Sequence, residues 1–327
     1  MRWLLILLLG ALAACGPRPD PAASPSTPPT AAPGAGPAGD RGANAIPSAW
    51  EEADGFGEAR PGPDAPDIVL IVIDTLRADA DLPGLRGWAR GGRSFSQAVA
   101  PSSWTLPSVA ATLVGRELRR NIKRVPASWT PLPQALQAAG YRTHAVVANP
   151  VLARDSGVAR GFDTYELTGS EGWTAADVLE RADSALSASD DRPLFLYLHF
   201  MEPHLPYSGR LAAPRAGWSV DSEPSSDWPD AGAHRACIER WRRAWDADVQ
   251  DVDGPLSTWL DARPLDLVAV TADHGEGLFT RALDPTWAEH GRIHEGVPGC
   301  GDALRPGYAD HGLQRFDEAL RVPLFLR

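Results

Sequence analysis

The chain has 327 residues, of which 43% are hydrophobic and 22% are charged, as in folded globular proteins with one large core or two smaller ones. Fibrous, collagen-like and wholly disordered classes are thereby excluded. The 31 basic and 42 acidic residues give a formal net charge of -11, so nucleic acid is not an expected partner, because phosphate binding requires a basic surface. The three cysteines, Cys15, Cys237 and Cys300, make neither a disulfide-rich scaffold nor a zinc ribbon.

The amino-terminal segment has the pattern of an export signal. Arg2 precedes an apolar run at residues 3–14, which is too short to cross a bilayer, because a spanning helix needs about 20 apolar residues. A short basic end, an apolar middle and small residues before a cleavage point are typical of a signal peptide. Residues 12–15, Leu-Ala-Ala-Cys, resemble the lipobox of bacterial lipoproteins. This implies a lipoprotein signal peptide at 1–15 and acylation of Cys15; an ordinary signal peptide with a chance cysteine is the alternative.

Residues 16–63 are rich in proline, alanine, glycine and serine, and such a stretch buries too little apolar surface to offset the entropy of ordering. We interpret this segment as a disordered tether between a lipid anchor and a folded domain at 64–327. The predicted location is the cell envelope, with the protein anchored to a membrane and facing the periplasm or the exterior. In such an oxidising compartment Cys237 and Cys300 could pair, and two free thiols are the alternative.

The rest of the chain alternates β-branched apolar runs with helical patterns. The runs predict strands buried on both faces, at residues 67–73, 143–148, 194–200 and 265–271. Helical patterns lie between them, at residues 131–139, 174–188 and 238–262. The alternation predicts an α/β fold with a doubly wound, mainly parallel sheet and helices on both faces. Two long segments have the composition of loops, at residues 208–235 and 277–309.

Side chains suited to metal binding come directly after the predicted strands. Asp74 follows the first strand, and Asp273 and His274 follow the last. Because ligands bind beyond the carboxyl ends of strands in open parallel sheets, we expect these side chains to lie close together. Thr105 lies where a helix is predicted to begin, and the N–H groups of a helix start favour an anion. Carboxylates, an imidazole and a hydroxyl at one point predict a divalent-cation site, where the metal acidifies the hydroxyl.

Short segments of the chain form an ordered set of motifs: DIVLIVIDTLRAD at 67–79, APSSWTLPS at 100–108, LQAAGYRT at 136–143, FLYLHFMEPHLPY at 195–207, DADVQDVD at 246–253, TADHGE at 271–276, HG at 311–312 and LRVPL at 320–324. In this order they resemble the motifs of sulfatase-like enzymes in the alkaline phosphatase superfamily. The resemblance covers residues 66–327, and its specificity comes from the number of motifs that keep the family's order.

The resemblance implies a role for each matching residue. The metal-ligand positions of the family are matched by Asp74, Thr105, Asp273 and His274. Positions that contact the substrate are matched by His204 and His311, which are also catalytic, with Glu202 and Asn149 as supporting candidates. Thr105 also falls on the nucleophile. The implied cofactor is one divalent metal ion (Ca, Mn, Mg or Zn), and a second ion held by Glu202, His204 and His311 is an open alternative.

The chain also departs from the family pattern. Conventional sulfatases have a cysteine or serine that becomes formylglycine where this chain has Thr105, which cannot be converted in that way. Val109 replaces the arginine that usually follows the Pro-Ser pair, and Thr75 replaces a second aspartate. The family usually continues beyond the position of Arg327, so we expect a C-terminal part to be missing from this sequence.

The function implied is a metal-dependent hydrolase of sulfate or phosphate esters, acting through a covalent Thr105 intermediate. Phosphodiesters or phosphonate esters are favoured over sulfate esters, because a threonine ester lacks the formylglycine release route and Lys123 is the single lysine of the chain. The expected partners are a small-molecule, glycan or lipid ester and a membrane reached through the lipid anchor. Two alternatives remain, a transferase of phospho groups to an envelope acceptor and a non-catalytic binding lipoprotein that keeps the fold.

Overall fold

The computed structural model describes residues 65–116, 122–169, 172–208, 210, 212, 231–282, 307–312 and 315–327. The predicted signal peptide, Cys15, the tether at 16–63 and Cys300 lie outside the described residues, so the domain boundaries stay a prediction. Cys237 is disulfide-bonded. Among the described residues, no helix is both long and apolar enough to cross a membrane.

The described elements alternate along the chain as the sequence predicts. The strands are β1 Ile68–Ile73, β2 Arg93–Phe95, β3 Arg142–Val147, β4 Thr164–Leu167, β5 Leu194–Phe200, β6 Leu267–Ala272, β7 Gly277–Ala282, β8 Gly307–Asp310 and β9 Leu324–Leu326. The α-helices are α1 Pro83–Trp88, α2 Thr105–Val114, α3 Leu132–Ala138, α4 Ala175–Leu186, α5 Ala231–Asp261 and α6 Asp317–Leu320.

Seven strands form one sheet in the order β2-β9-β6-β1-β5-β3-β4. The strands β6, β1, β5, β3 and β4 run parallel to one another, whereas β9 pairs antiparallel with β6 and β2. The central strands β1 and β5 are almost entirely buried, as expected for continuous apolar runs covered on both faces. The mainly parallel α/β sheet is therefore confirmed.

Helices on the two faces of the sheet make two separate cores. In β1, Val69, Ile71 and Ile73 point into a core that contains side chains of α1, α4 and α5. Leu70 and Val72 point to the opposite core, which contains side chains of α2 and α3. This alternation follows from the two-residue period of a strand, which sends successive side chains to opposite faces. The predicted helices on both faces are therefore confirmed.

Two predicted boundaries were wrong. Helix α5 begins at Ala231, seven residues before the predicted start at 238, because the preceding alanine-rich stretch has helix propensity without apolar periodicity. Residues 277–309 are not wholly loop, because β7 and β8 pair as an antiparallel two-stranded sheet. Gly277 pairs with Asp310 across 33 residues of chain, and pairing at such a distance leaves no local turn signal in the sequence.

Candidate functional site

The carboxyl ends of three adjacent parallel strands bring together two aspartates and a histidine. Asp74 follows β1, Asp273 follows β6 on one side of it, and His199 is the penultimate residue of β5 on the other. All three side chains are buried, and one ligand atom of each lies within 4.8 Å of the others. The predicted convergence of Asp74 and Asp273 is therefore observed. His199 joins them because β5 is next to β1 in the sheet.

The two carboxylates are held by neighbouring polar groups. The Asn149 side chain, just after β3, donates a 2.6 Å hydrogen bond to Asp74 Oδ2. Thr75 adopts the left-handed conformation, with φ 53°, and its N–H donates to Asp273 Oδ1 at 3.3 Å. A threonine rarely adopts this conformation, and such strain persists where the surrounding structure imposes it, often at functional sites. Thr75, which replaces the family's second aspartate, thus orients Asp273 through its backbone.

His274 presents one nitrogen to the site. Its Nδ1 lies 2.8 Å from the Gly275 carbonyl, which can only accept, so Nδ1 carries the proton. The lone pair of Nε2 then faces the Thr105 hydroxyl at 3.2 Å, Asp273 Oδ2 at 3.3 Å and Asp74 Oδ1 at 3.7 Å. A neutral imidazole in this tautomer can ligate a metal ion or accept the hydroxyl proton.

Thr105 is the first residue of α2 and is buried at the site. The start of this helix is tied to the β6 end, because the Ser108 hydroxyl donates a hydrogen bond to the Asp273 carbonyl. The N–H groups at the start of α2 have no partner within the helix, so they favour a negatively charged ligand beside Thr105. Val109, which stands where the family has an arginine, is buried in the core of this face and offers no charge.

A second group of histidines lies beside the first. The ring of His311 lies 4.4 Å from that of His274 and 5.0 Å from that of His204, measured between centroids. His311 Nδ1 is 3.2 Å from Glu276 Oε2, and Glu276 Oε1 accepts the N–H of Gly277 at 3.0 Å. The two predicted substrate-contacting histidines are thus adjacent, and Glu276 fixes one of them.

Glu202 lies in a different environment from that expected. Its Oε1 accepts the N–H of Ala175 at 2.8 Å, so the carboxylate caps the start of α4. Burial raises the pKa of Glu202. Its predicted contact with the substrate stays a prediction, and the structure shows a helix-capping contact instead.

Two functional candidates were missed in the sequence, His199 and Glu276. His199 stands in the apolar run that predicted β5, and a lone histidine near the carboxyl end of a buried strand was the signal for it. Glu276 belongs to the run Asp-His-Gly-Glu at 273–276, and its position next to two predicted ligands was the signal. Neither signal says which neighbour the side chain meets, because that depends on strand order.

The electrostatics of the site match the demands of a divalent cation. Burial raises the pKa of Asp74 well above its usual range, and the nearby Asp273 charge adds to this; burial also raises the pKa of Asp273. Burial lowers the pKa of His204, as does the neighbouring His311, and burial lowers that of His199 to about 4. Asp74 Oδ1 and Asp273 Oδ2 accept no hydrogen bond from the described residues. Two buried carboxylates with unpaired oxygens, beside neutral imidazoles, fit a divalent metal ion.

This sheet, with carboxylates, imidazoles and a hydroxyl at its strand ends, matches the sulfatase-like fold of the alkaline phosphatase superfamily. The sequence matches the family model described as Sulfatase over residues 66–327. The chain therefore belongs to the sulfatase family, whose members bind divalent metals. A comparison with curated protein sequences finds no significant match.

Solved structures share the fold at low sequence identity. The soluble domain of lipooligosaccharide phosphoethanolamine transferase A from Neisseria meningitidis is 16% identical with a TM-score of 0.57, over 82% of this chain and 78% of that one. Phosphonate monoester hydrolase of Agrobacterium radiobacter is 16% identical with a TM-score of 0.53, over 80% and 68%. The periplasmic domain of EcEptC from Escherichia coli, in complex with Zn, is 14% identical with a TM-score of 0.56, over 81% and 73%. These similarities establish the fold of the chain.

Proposed function

We propose that this protein is a metal-dependent hydrolase of sulfate or phosphate esters at the cell envelope, acting through a covalent intermediate on Thr105. One observation carries the proposal. The Thr105 hydroxyl lies at the start of α2 and 3.2 Å from His274 Nε2, beside the buried pair Asp74 and Asp273. A hydroxyl that contacts a bound metal ion can act as a nucleophile at neutral pH, because the metal lowers the pKa of the hydroxyl.

The residues that would hold the metal ion are Asp74, Asp273, His274 and Thr105. When bound, a divalent ion lowers the pKa of the hydroxyl that it contacts and offsets the charge that develops on the transferred group. The unpaired oxygens of the two aspartates support this assignment, because a bound cation would satisfy both.

The chain supplies the groups that move atoms and protons. Thr105 Oγ1 releases its proton to solvent as it bonds to the phosphorus or sulfur atom. The ester oxygen leaves with the bonding electrons and takes a proton from the protonated form of His204 or His311. The N–H groups at the start of α2 stabilise the equatorial oxygens of the transferred group. Water then attacks the phosphorus or sulfur atom and gives a proton to the same histidine. The bond to Thr105 breaks, and Oγ1 leaves with the bonding electrons and takes up a proton from solvent, which restores the hydroxyl. The carboxylate of Glu276 orients the ring of His311 for this proton transfer.

Among ester classes, phosphodiesters and phosphonate esters fit Thr105 best. A formylglycine hydrate can expel sulfate by collapse from its second hydroxyl, whereas a threonine ester must be cleaved by water. Phosphoryl groups are released in that way by enzymes with hydroxyl nucleophiles. The fold similarity to a phosphonate monoester hydrolase agrees with this choice.

Trp104 offers a surface for the leaving group. It directly precedes Thr105, and 41% of its surface is exposed although the side chain is large and apolar. A Cβ on Gly312, next to His311, would lie 3.7 Å from Trp104 Cγ, so the indole lies beside the histidine loop. An exposed indole at this position can stack on an aromatic or sugar ring of an ester.

The test is a comparison of matched aryl substrates. We expect wild-type protein loaded with a divalent metal to turn over an aryl phosphodiester or aryl phosphonate faster than the matched aryl sulfate. Thr105→Ala should lose turnover by at least about 1000-fold, and Thr105→Ser, the matched control that keeps a hydroxyl, should retain part of it. Faster release of sulfate than of phosphate or phosphonate, if it depends on Thr105, would contradict the preference for phosphorus esters. If the protein shows neither turnover nor bound metal, a non-catalytic binding module is favoured.

Transfer to an envelope acceptor is the second candidate, favoured by the fold similarity to lipooligosaccharide phosphoethanolamine transferase A. The two activities differ in what attacks the Thr105 ester, an acceptor hydroxyl or water. Adding a simple alcohol to the assay distinguishes them, because a transferase yields the alkyl ester as its main product and a hydrolase yields free acid.

A further inference from the structure

His199 is a buried polar side chain that the proposed mechanism does not use. It belongs to β5, which lies between β1 and β3, and its neighbours in register are Val72 and Val147. The ring is fully buried, and neither of its nitrogens has a hydrogen-bond partner among the described residues. Buried imidazoles normally have a partner, because an unpaired nitrogen loses its hydration without compensation.

The ring faces the proposed metal site from the interior of the sheet. Its Nε2 lies 3.9 Å from Asp74 Oδ2, which is too far for a hydrogen bond but close enough to share an ion. One of its nitrogens also lies within 4.8 Å of a carboxylate oxygen of Asp273. On the other side of the aspartates, His274 Nε2 is 3.3 Å from Asp273 Oδ2 and 3.7 Å from Asp74 Oδ1.

These separations match those of atoms that share one small ion. Zinc binds imidazole nitrogen at about 2.0–2.1 Å and carboxylate oxygen at about 2.0–2.2 Å, which places neighbouring ligand atoms of a tetrahedron roughly 3.3–3.5 Å apart. The measured distances of 3.3, 3.7 and 3.9 Å between imidazole nitrogens and aspartate oxygens are at or slightly above this range, so each imidazole needs only a small side-chain movement to share an ion with these carboxylates.

We propose that His199 is a ligand of the active-site metal, which gives the site a second imidazole and a preference for Zn²⁺ over Mg²⁺ and Ca²⁺. The inference deepens the proposed function and rests on its metal site. Imidazole suits zinc and related transition metals, whereas Mg²⁺ and Ca²⁺ bind oxygen ligands. With His199 as a ligand, the site would therefore select a different metal ion, while Thr105 would remain the nucleophile.

The first experiment counts the imidazoles on the metal. X-ray absorption spectroscopy of the zinc-loaded wild-type protein should show two histidine ligands, and His199→Gln should show one. His144→Gln is the matched control: His144 lies on the neighbouring strand β3, but its Nε2 is already paired with Glu166 at 2.7 Å. The control should keep both ligands. One histidine in the wild-type spectrum, or two in folded His199→Gln, would overturn the proposal.

The second experiment measures selectivity by chelator competition. His199→Gln should weaken Zn²⁺ binding at least about 10-fold and change Mg²⁺ binding less than about 3-fold. His199→Phe, which keeps an apolar ring in the core, serves if the glutamine variant does not fold, and the same shifts are expected. Equal losses for both metals, or wild-type zinc affinity, would refute the assignment.

The outcomes separate this inference from the proposed function. Two histidine ligands without ester turnover would leave the inference standing and remove the hydrolase. Ester turnover by a protein with one histidine ligand would support the hydrolase and refute the assignment of His199 as a metal ligand.

Discussion

His274 shows how the backbone decides the chemistry of one side chain. The Gly275 carbonyl accepts a hydrogen bond from the Nδ1–H group, so the lone pair of Nε2 faces Thr105 and the aspartates. Gly275 itself permits this arrangement, because a Cβ there would lie 2.0 Å from the Glu318 carbonyl oxygen. The tautomer of the ligand thus depends on close backbone packing between the β6 end and α6.

Removing a proposed ligand should abolish metal binding and leave the fold intact. Asp273→Ala and His274→Ala should each lower metal content to background, because they lie beyond the end of β6 and the cores do not depend on them. Elemental analysis and circular dichroism provide the measurement. Asp266→Ala is the control, since Asp266 precedes the same strand at its other end and should leave metal content unchanged. Full metal content in either ligand variant would contradict the assignment.

Trp104 should matter for aryl substrates and not for small ones. Trp104→Ala should raise KM for an aryl phosphodiester up to about 10-fold, because stacking on an indole is worth about 0.5–1.5 kcal/mol, and should leave KM for a methyl ester nearly unchanged. Trp104→Phe, which keeps a ring, should give a KM for the aryl phosphodiester between those of wild type and Trp104→Ala. A uniform loss on both esters would mean that Trp104 supports the start of α2 and does not bind the leaving group.

At the scale of elements, α5 anchors the amino-terminal end of α1. The Asp253 carboxylate accepts the N–H groups of Gly84 at 2.7 Å and Leu85 at 2.8 Å, a capping role filled from a distant helix. Gly84 allows the approach, since a Cβ would lie 2.3 Å from Ser257 Oγ. This contact fixes the layer of helices that covers β1.

Asp253→Ala should lower the free energy of unfolding by about 1–3 kcal/mol, because two N–H groups lose a charged acceptor. Urea denaturation gives the measurement. Asp251→Ala, two residues earlier in the same helix, removes a partly exposed ion pair with Arg210 and should cost less than about 1 kcal/mol. Equal effects of the two variants would argue against the capping role.

The junction of β6 with α6 should tolerate no side chain at position 275. Gly275→Ala should displace the Glu318 carbonyl and break the 2.9 Å bond from Gly275 N–H to the Ala319 carbonyl, so metal affinity and thermal stability should both fall. In Gly254→Ala, the control in α5, a Cβ meets nothing within 4 Å. That variant should be as stable as wild type or more so, because alanine favours a helix. Unchanged metal affinity in Gly275→Ala would show that the packing does not support His274.

At the scale of the whole molecule, Cys15 is the predicted site of a membrane anchor. We predict that the mature protein begins at an acylated Cys15, because two or more acyl chains anchor stably where one chain binds marginally. Mass spectrometry of the mature amino terminus gives the measurement, and Cys15→Ser should release the protein in soluble form. An unmodified start at another residue would remove the envelope anchor from the proposal.

Much of the fold follows from local patterns, because a strand buried on both faces needs a continuous apolar run and a helix needs an apolar stripe. The runs that predicted β1, β3, β5 and β6 agree with the structure within about two residues. The pairing of β7 with β8 and the early start of α5 did not follow, because distant pairing and alanine-rich helices leave no such pattern.

For the site, the sequence by itself determined that Asp74 and Asp273 stand at strand ends and that Thr105 begins a helix. Their convergence could be expected, since parallel strands end at the same edge of a sheet. Only the tertiary structure decided which strands are neighbours, and the order β6-β1-β5 is what brings His199 to Asp74. The same packing assigned Glu202 to the start of α4 and Glu276 to His311. The residue type determines which groups a side chain can bind or which protons it can transfer. Its actual partners depend on contacts between elements that are far apart in the chain.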